Sequence, residues 1–367
     1  MPVSSTRNVS MPATDRHTGA VHFDDIVVAR TRLRKKLTPT PVVTHPLLAQ
    51  RLGCVPYVKL ENAQLLGSFK IRGGLNLLTA LTDNERRQGL VTATRGNHGQ
   101  SLAHASQLHE VKCTIFVPEG NNPDKNAAMT ALGAQVVVAG HDFDSAWLAA
   151  VRHAQQSGAL AIHPSRAPAL IAGYATVALE MLEQVTQPFD TVFVPVGGGS
   201  LAAGMGLAFK ALSPHTRLIG VQAASAPALA RAFHSGEMKE VPIDATIADG
   251  LATRVPSRDT VAILRDTLED IVVVDESEIH AAIRCYADTL HQLAEGAGAA
   301  ALAGATRLKR RIAGQRVGIV LSGGNITSST LLSVLHGDPV GAADLAPNQA
   351  LESMDYDPRP VRGRHEF

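Results

Sequence analysis

Three times in this chain an apolar run breaks into a glycine-rich turn. No other feature constrains the fold as strongly. Leu90–Ala93 runs into Thr94-Arg95-Gly96-Asn97-His98-Gly99-Gln100, with a helical pattern over about 100–108. Thr191–Pro195 runs into Val196-Gly197-Gly198-Gly199-Ser200-Leu201, with a helical pattern over 201–212. Arg316–Leu321 runs into Ser322-Gly323-Gly324-Asn325, and a helix is expected after it. Further strand patterns lie at 111–118, 135–139, 159–163, 218–222 and 271–274, with amphipathic or Ala-rich stretches at 145–156, 171–184 and 277–292 between them. Strand–helix alternation of this kind predicts an α/β fold, with parallel sheets covered by helices on both faces. Ligands in such sheets bind beyond the carboxyl ends of the strands. All three turns fall there.

The turns differ in what they can hold. A polar glycine turn opening a helix presents free backbone N–H groups and a favourable dipole to an anion. The turn at Gly96 suits a substrate carboxylate; simple helix capping by Asn97 is the alternative. Three consecutive glycines at Gly197, Gly198 and Gly199 let the main chain wrap a phosphate closely. This turn has neither the dinucleotide spacing nor the lysine of a Walker loop. Ser322 offers a hydroxyl to a ring nitrogen, or caps a helix.

Lys70 is the unusual cation. It sits among small and apolar residues, after Gly67-Ser68-Phe69 and before Ile71-Arg72-Gly73-Gly74. Burial disfavours the charged form, which lowers the pKa and makes the amine a nucleophile or base. Such an amine can hold an aldehyde cofactor as a Schiff base. Taken alone, a solvated surface lysine is the commoner explanation.

In order along the chain, Gly67-Ser68-Phe69-Lys70 with Arg72-Gly73, Gly96-Asn97-His98, Gly197-Gly198-Gly199, Asp249-Gly250-Leu251 and Ser322-Gly323-Gly324-Asn325 form a set. The set resembles the fold-type II pyridoxal-phosphate enzymes, and within them the threonine/serine dehydratase group. The resemblance covers about residues 23–336. It implies a fold like that of the tryptophan synthase β chain, with two parallel-rich open sheets flanked by helices. It implies a large domain at 23–88 and 166–340, a small domain at 89–165, and tails at 1–22 and 341–367. It implies pyridoxal 5'-phosphate as cofactor, and an ammonia-lyase that eliminates water from a hydroxy amino acid to leave a 2-oxo acid and ammonia.

Site roles follow from the same resemblance. Lys70 would hold the cofactor and move the Cα proton, with Phe69 packed beside the ring. Asn97 would hold the ring hydroxyl, and Ser322 would face the pyridine nitrogen. Gly197, Gly198, Gly199, Ser200 and Leu201 would cradle the phosphate. Ser68, Thr94, Arg95, Gly96 and His98 would face the substrate. Glu295, before Gly296-Ala297-Gly298, is either an acid near the cofactor or a plain helix-start acid.

Two departures bear on the substrate. Arg95 stands where relatives carry a small residue, or a serine in racemases. It is either a surface arginine or a selector of a distal carboxylate through paired hydrogen bonds. Tyr174-Ala175 replaces the usual Gln-Gly. Alternatives to threonine or serine are therefore 3-hydroxyaspartate, another 3-hydroxy amino acid, or a non-catalytic role in cofactor binding.

Composition excludes other classes. A chain of 367 residues buries a sizeable core. A net charge of +1 argues against nucleic-acid or membrane-surface partners. No run is long and apolar enough to span a bilayer. The polar first 20 residues lack a signal-peptide pattern, and Cys54, Cys113 and Cys285 show no paired spacing. A cytoplasmic homo-oligomer acting on a small amino acid is expected. No metal is expected either: Gln222 stands where some relatives carry a cation-binding acid, and the histidines lack helical zinc spacing.

Overall fold

The computed structural model describes residues 19–337. The tail readings at 1–18 and beyond 337 lie outside the described residues. Among the described residues the strands, in chain order, are β1 (Val42–Val43), β2 (Val55–Leu60), β3 (Leu90–Ala93), β4 (Cys113–Val117), β5 (Gln135–Val138), β6 (Leu160–Ala161), β7 (Thr191–Pro195), β8 (Arg217–Ala223), β9 (Asp270–Val274) and β10 (Arg316–Leu321). They form a six-stranded sheet in the order β1-β2-β10-β7-β8-β9 and a four-stranded sheet in the order β5-β4-β3-β6. Every neighbouring pair is parallel except β1 with β2. This is the expected α/β class with two parallel-rich sheets. The four-stranded sheet comes from one continuous segment, and the six-stranded sheet draws on the chain before and after it.

The central strands are continuous apolar runs because both faces are covered. Every residue of β7 is buried, as are five of the six in β10. One layer of core joins helices Lys70–Ala80, Pro168–Gln184 and Ser200–Leu212 to the sheets. These helices approach closely: a Cβ on Gly173 would stand 2.7 Å from the Arg72 carbonyl oxygen. Helix Gly296–Arg307 packs on the opposite side among the second apolar cluster, with Ala299, Ala300 and Ala301 fully buried.

Differences from the sequence reading are local. β1 and β2 carry no period-two alternation or glycine turn to announce them. The segment at 159–163 keeps only two ladder residues, because β6 is the short edge of its sheet. No helix follows directly after Ser322. The next one is Ser328–Leu335, capped by Thr327, so Ser322 is not an N-cap.

A four-charge cluster lies inside this frame. Lys59, Glu61, Arg72 and Glu180 are each 0–3% exposed. Arg72 makes a two-bonded pair with Glu61 at 2.7 and 2.7 Å, and a second with Glu180 at 2.6 and 2.8 Å. Lys59 donates to Glu180 at 2.7 Å, to Gln184 at 2.9 Å and to the Thr40 carbonyl at 2.8 Å. Burial alone would raise the Glu180 pKa. Arg72 and Lys59 outweigh it and hold the carboxyl below its ordinary range. Removing one member strands a buried charge, at about 3–5 kcal/mol. Arg72→Met is expected to lose about that much in urea unfolding, whereas exposed Lys210→Met changes stability by under about 0.5 kcal/mol.

Candidate active site

The three glycine turns, after β3, β7 and β10, meet at one cavity of about 330 Å³. Phe69, Lys70, Thr94, Arg95, Gly96, Asn97 and His98 line it. So do Gly197, Gly198, Gly199, Ser200, Leu201 and Ser322. Ser68 is the predicted residue that stays off the lining. It is buried, its backbone bridges to Gly323, and its Oγ has no partner. A larger depression of about 710 Å³ lies beside β9. Its lining includes the exposed His234, near Asp270, and the exposed pair Lys239–Glu237, so size does not choose the site. Convergent polar chemistry does.

Each wall has a local cause. Gly199 adopts a left-handed φ of +88° and opens helix Ser200–Leu212 with no side-chain cap. The first backbone N–H groups of that helix therefore face the cavity end unclaimed by a capping side chain. A Cβ on Gly198 would stand 1.9 Å from Ser165 Oγ, so a bare main chain is required there. This cradle fits a phosphate.

Lys70 opens helix Lys70–Ala80, and Ser101 Oγ holds its carbonyl at 2.5 Å. Its Nζ lies 4.9 Å from the ring centroids of both Phe69 and Tyr174. Burial lowers the amine to a pKa of about 8, against an upward pull from Glu295. A neutral amine is thus available near neutral pH. His98 is buried and His163 half-buried; desolvation, with Lys70 beside His98 and Arg166 beside His163, holds both well below the ordinary histidine range. His98 Nε2 lies 3.0 Å from Thr92 Oγ1, and its Nδ1 has no partner.

Asn97 corrects one alternative. Helix Asn97–Leu108 starts at Asn97 and is preceded by Gly96, so Asn97 does not cap it. Its side chain spans the cavity instead. Nδ2 donates to Glu295 Oε1 at 2.6 Å, and Oδ1 accepts from Asn325 Nδ2 at 2.8 Å. Glu295 precedes its helix without capping it and turns into the cavity. Burial, with the Asp249 charge, lifts its pKa to about 7 against the pull of Lys125 and Asn97. The sequence left its role open, and only this lateral bond to Asn97 resolves the choice toward the site.

Ion pairs join the two sides of the opening. Lys125 meets Asp249, and Arg254 meets Asp144 at 3.0 Å and Asp142 at 3.1 Å. Sequence reasoning missed Lys125 and Arg254, because no local pattern marks a contact between residues more than 100 positions apart. Arg95 lines the cavity with no ion pair among the described residues, and its buried Nε has no hydrogen-bond partner. Among the described residues there is no His/Cys/Asp/Glu cluster arranged to hold a metal ion.

A glycine-cradled anion site and a low-pKa lysine in one cavity agree with the comparisons. The family of pyridoxal-phosphate dependent enzymes matches residues 33–323. The chain belongs to that family. Pyridoxal phosphate is its cofactor. Similar proteins include an L-threonine ammonia-lyase of Geobacter sulfurreducens, 39% identical over 86% of this chain and 78% of that one. An L-threo-3-hydroxyaspartate ammonia-lyase of Saccharomyces cerevisiae is 34% identical over 87% of this chain and 98% of that one. The solved serine racemase of maize is 32% identical, with a TM-score of 0.81 over 86% of this chain and 97% of that one.

Glu295 gives this pyridoxal-phosphate enzyme a pH signature. Its folded pKa of about 7 exceeds the unfolded value near 4.5, so the native state binds the proton more tightly. Stability is therefore lost as pH rises from about 4.5 through about 7. Glu295→Gln escapes the penalty and still accepts from Asn97. In the cofactor-free chain it is expected to gain up to about 3 kcal/mol over the parent between about pH 5 and about pH 8. Urea unfolding at the two pH values measures it.

Proposed function

We propose that this chain eliminates water from a 3-hydroxy amino acid and releases a 2-oxo acid and ammonia, with threonine or serine as substrate. The observation that carries the reading is the low-pKa Lys70 amine sharing one cavity with an uncapped glycine cradle. Bound there, pyridoxal phosphate supplies an electron sink for the pair left at Cα. In this reading Lys70 anchors the cofactor and carries the Cα proton, which an amine near pKa 8 does efficiently close to neutral pH. The backbone at Gly197, Gly198, Gly199, Ser200 and Leu201 holds the phosphate. Phe69 packs beside the ring and Asn97 orients its hydroxyl. Ser322 faces the ring nitrogen as a neutral hydroxyl, which does not force protonation and so favours elimination. The substrate carboxylate takes the N-terminus of helix Asn97–Leu108, with Thr94, Gly96 and the neutral His98 around it.

The relatives named as ammonia-lyases support the reaction type. Over the described residues, the two sheets support a large unit at 23–88 and 166–337 and a small one at 89–165. Free Cys54, Cys113 and Cys285 support a reducing, cytoplasmic location. Among the described residues no helix is long and apolar enough to cross a membrane. Exposed Leu65 and Leu293, on loops joined through Asn62, supply apolar side chains that a homo-oligomer would cover.

The test is a panel of hydroxy amino acids assayed for 2-oxo acid. A protein that only binds cofactor yields none. Lys70→Ala is expected to lower ammonia release by at least about a thousandfold with an unchanged circular dichroism spectrum. Near-normal release would overturn the assignment.

Arg95 supports a second substrate, 3-hydroxyaspartate. An unpaired, half-buried guanidinium beside the carboxylate site gains roughly 1.5–3 kcal/mol from a second carboxylate. Arg95→Ala should then lower kcat/KM roughly ten- to a hundredfold more for 3-hydroxyaspartate than for threonine. Equal, small losses mark a surface arginine. Equal, large losses mark a role in positioning the α-carboxylate.

A further inference from the structure

We propose that Tyr174 and Phe69 form an aromatic cradle that stabilises the Lys70 ammonium, making Tyr174 a positioning residue for the reactive amine. The proposal rests on the reading of Lys70 given above. Tyr174 lies outside the cavity lining, on helix Pro168–Gln184, and is fully buried. Its ring meets that of Phe69 edge-on, at 4.8 Å and 74°. Lys70 Nζ stands 4.9 Å from each ring centroid. A cation at that distance is attracted by the negative face of the ring, most strongly where water is excluded.

The hydroxyl does not explain the tyrosine. Buried tyrosines usually bond their hydroxyl, and Tyr174 Oη has no partner. The ring is what the surroundings use. It seats against Gly73, where a Cβ would approach Tyr174 Cε1 to 2.3 Å. Gly73 lies three residues after Lys70 on the same helix, so the contact fixes the turn that presents the amine. The Tyr174 phenol is neutral, since burial raises its pKa far above the ordinary value.

The other groups facing Lys70 are few. Glu295, before helix Gly296–Arg307, favours the ammonium. His98 and His163 feel Lys70 but stay neutral, because burial holds both well down. Asp249 and Lys125 act one step removed, through Glu295. Arg72, on the lysine's own helix, is paired with Glu61 and Glu180. Two ring faces and one carboxyl therefore oppose the desolvation of the amine. The rings keep Lys70 in place whenever its nitrogen is free.

The sign follows. Removing a ring disfavours the ammonium, so the Lys70 pKa falls. Cofactor-free, full-length protein is mixed with pyridoxal phosphate across a pH range. Covalent capture, which needs the neutral amine, is read from the cofactor absorption band. Thermal unfolding supplies Tm for each variant. Tyr174→Met, which fills the space without a ring, is expected to move the capture midpoint down by about half a pH unit or more. Tyr174→Phe keeps the ring and should leave the midpoint in place. If Tyr174→Met does not fold, Phe69→Leu tests the other ring for the same downward shift.

An unchanged midpoint with a lowered Tm would reduce Tyr174 to packing and overturn the cradle. An equal shift in Tyr174→Phe and Tyr174→Met would place the effect in the hydroxyl, and would overturn it too. Capture by Lys70→Ala equal to the parent's would overturn the underlying reading of Lys70. Parent capture that requires Lys70, with no shift in the ring variants, removes the cradle alone.

Discussion

The site depends on a guanidinium that never touches it. Arg72 follows Lys70 by two residues and binds two carboxylates at once, Glu61 just after β2 and Glu180 on helix Pro168–Gln184. Lys59, from β2, completes the set on Glu180. The cluster carries two charges of each sign and is closed by Thr40, Thr176 and Gln184. Such clusters contribute little net stability over an apolar core of the same shape. Their consequence here is geometric. Two forked pairs on a planar guanidinium admit few orientations. They fix the helix that opens with Lys70 against the helix that carries Tyr174.

Charge balance in the cavity continues the same logic. Lys125 with Asp249 and Arg254 with Asp142 and Asp144 set two cations against three carboxylates across the opening. The helix with Lys125 lies between β4 and β5, and Asp249 lies between β8 and β9, so each pair joins the two sheets. Within the cavity, neither Lys70 nor Arg95 makes an ion pair among the described residues. Lys70, its pKa lowered to about 8 by burial, is cationic or neutral according to the pH. Glu295, lifted to about 7, passes between its neutral and anionic forms beside Asn97 near neutral pH, so it brings only a partial negative charge to the cavity.

What the sequence made legible is what local chemistry determines. β3 ends at Ala93, three residues before Gly96, and β7 ends at Pro195, as their apolar runs indicate. The turns at Gly96 and Gly197 open helices as their small residues require. The third turn does not, because Asn325 spends its amide on Leu66 and Asn97, and the chain needs Ile326 and Thr327 before a helix begins. β1 and β2 went unread because the first is two residues long and the second mixes Pro56, Tyr57 and Lys59 into its run. Lys59 is a poor strand-core residue until Glu180, 121 positions away, gives its charge a partner. The same distance hid Lys125 and Arg254.

Departures from a local rule mark where a fold departs from its own convenience. Tyr174 leaves a buried hydroxyl unbonded, and Arg95 leaves a half-buried guanidinium unpaired. Either would be costly as mere packing, since an unsatisfied polar atom loses its hydration without return. Tyr174 meets the Lys70 amine from a helix outside the cavity lining, and Arg95 is part of that lining. Their effects are separable because they act on different atoms. A ring face acts on the lysine nitrogen and so bears on proton transfer for any substrate. In the proposed reading, a guanidinium at the carboxylate turn would act on the side chain of the substrate and so bear on choice among substrates. Reaction type is set by the glycine cradle and Lys70. If the two proposals hold, tempo belongs to Tyr174 and selection to Arg95, and the two vary independently on one frame.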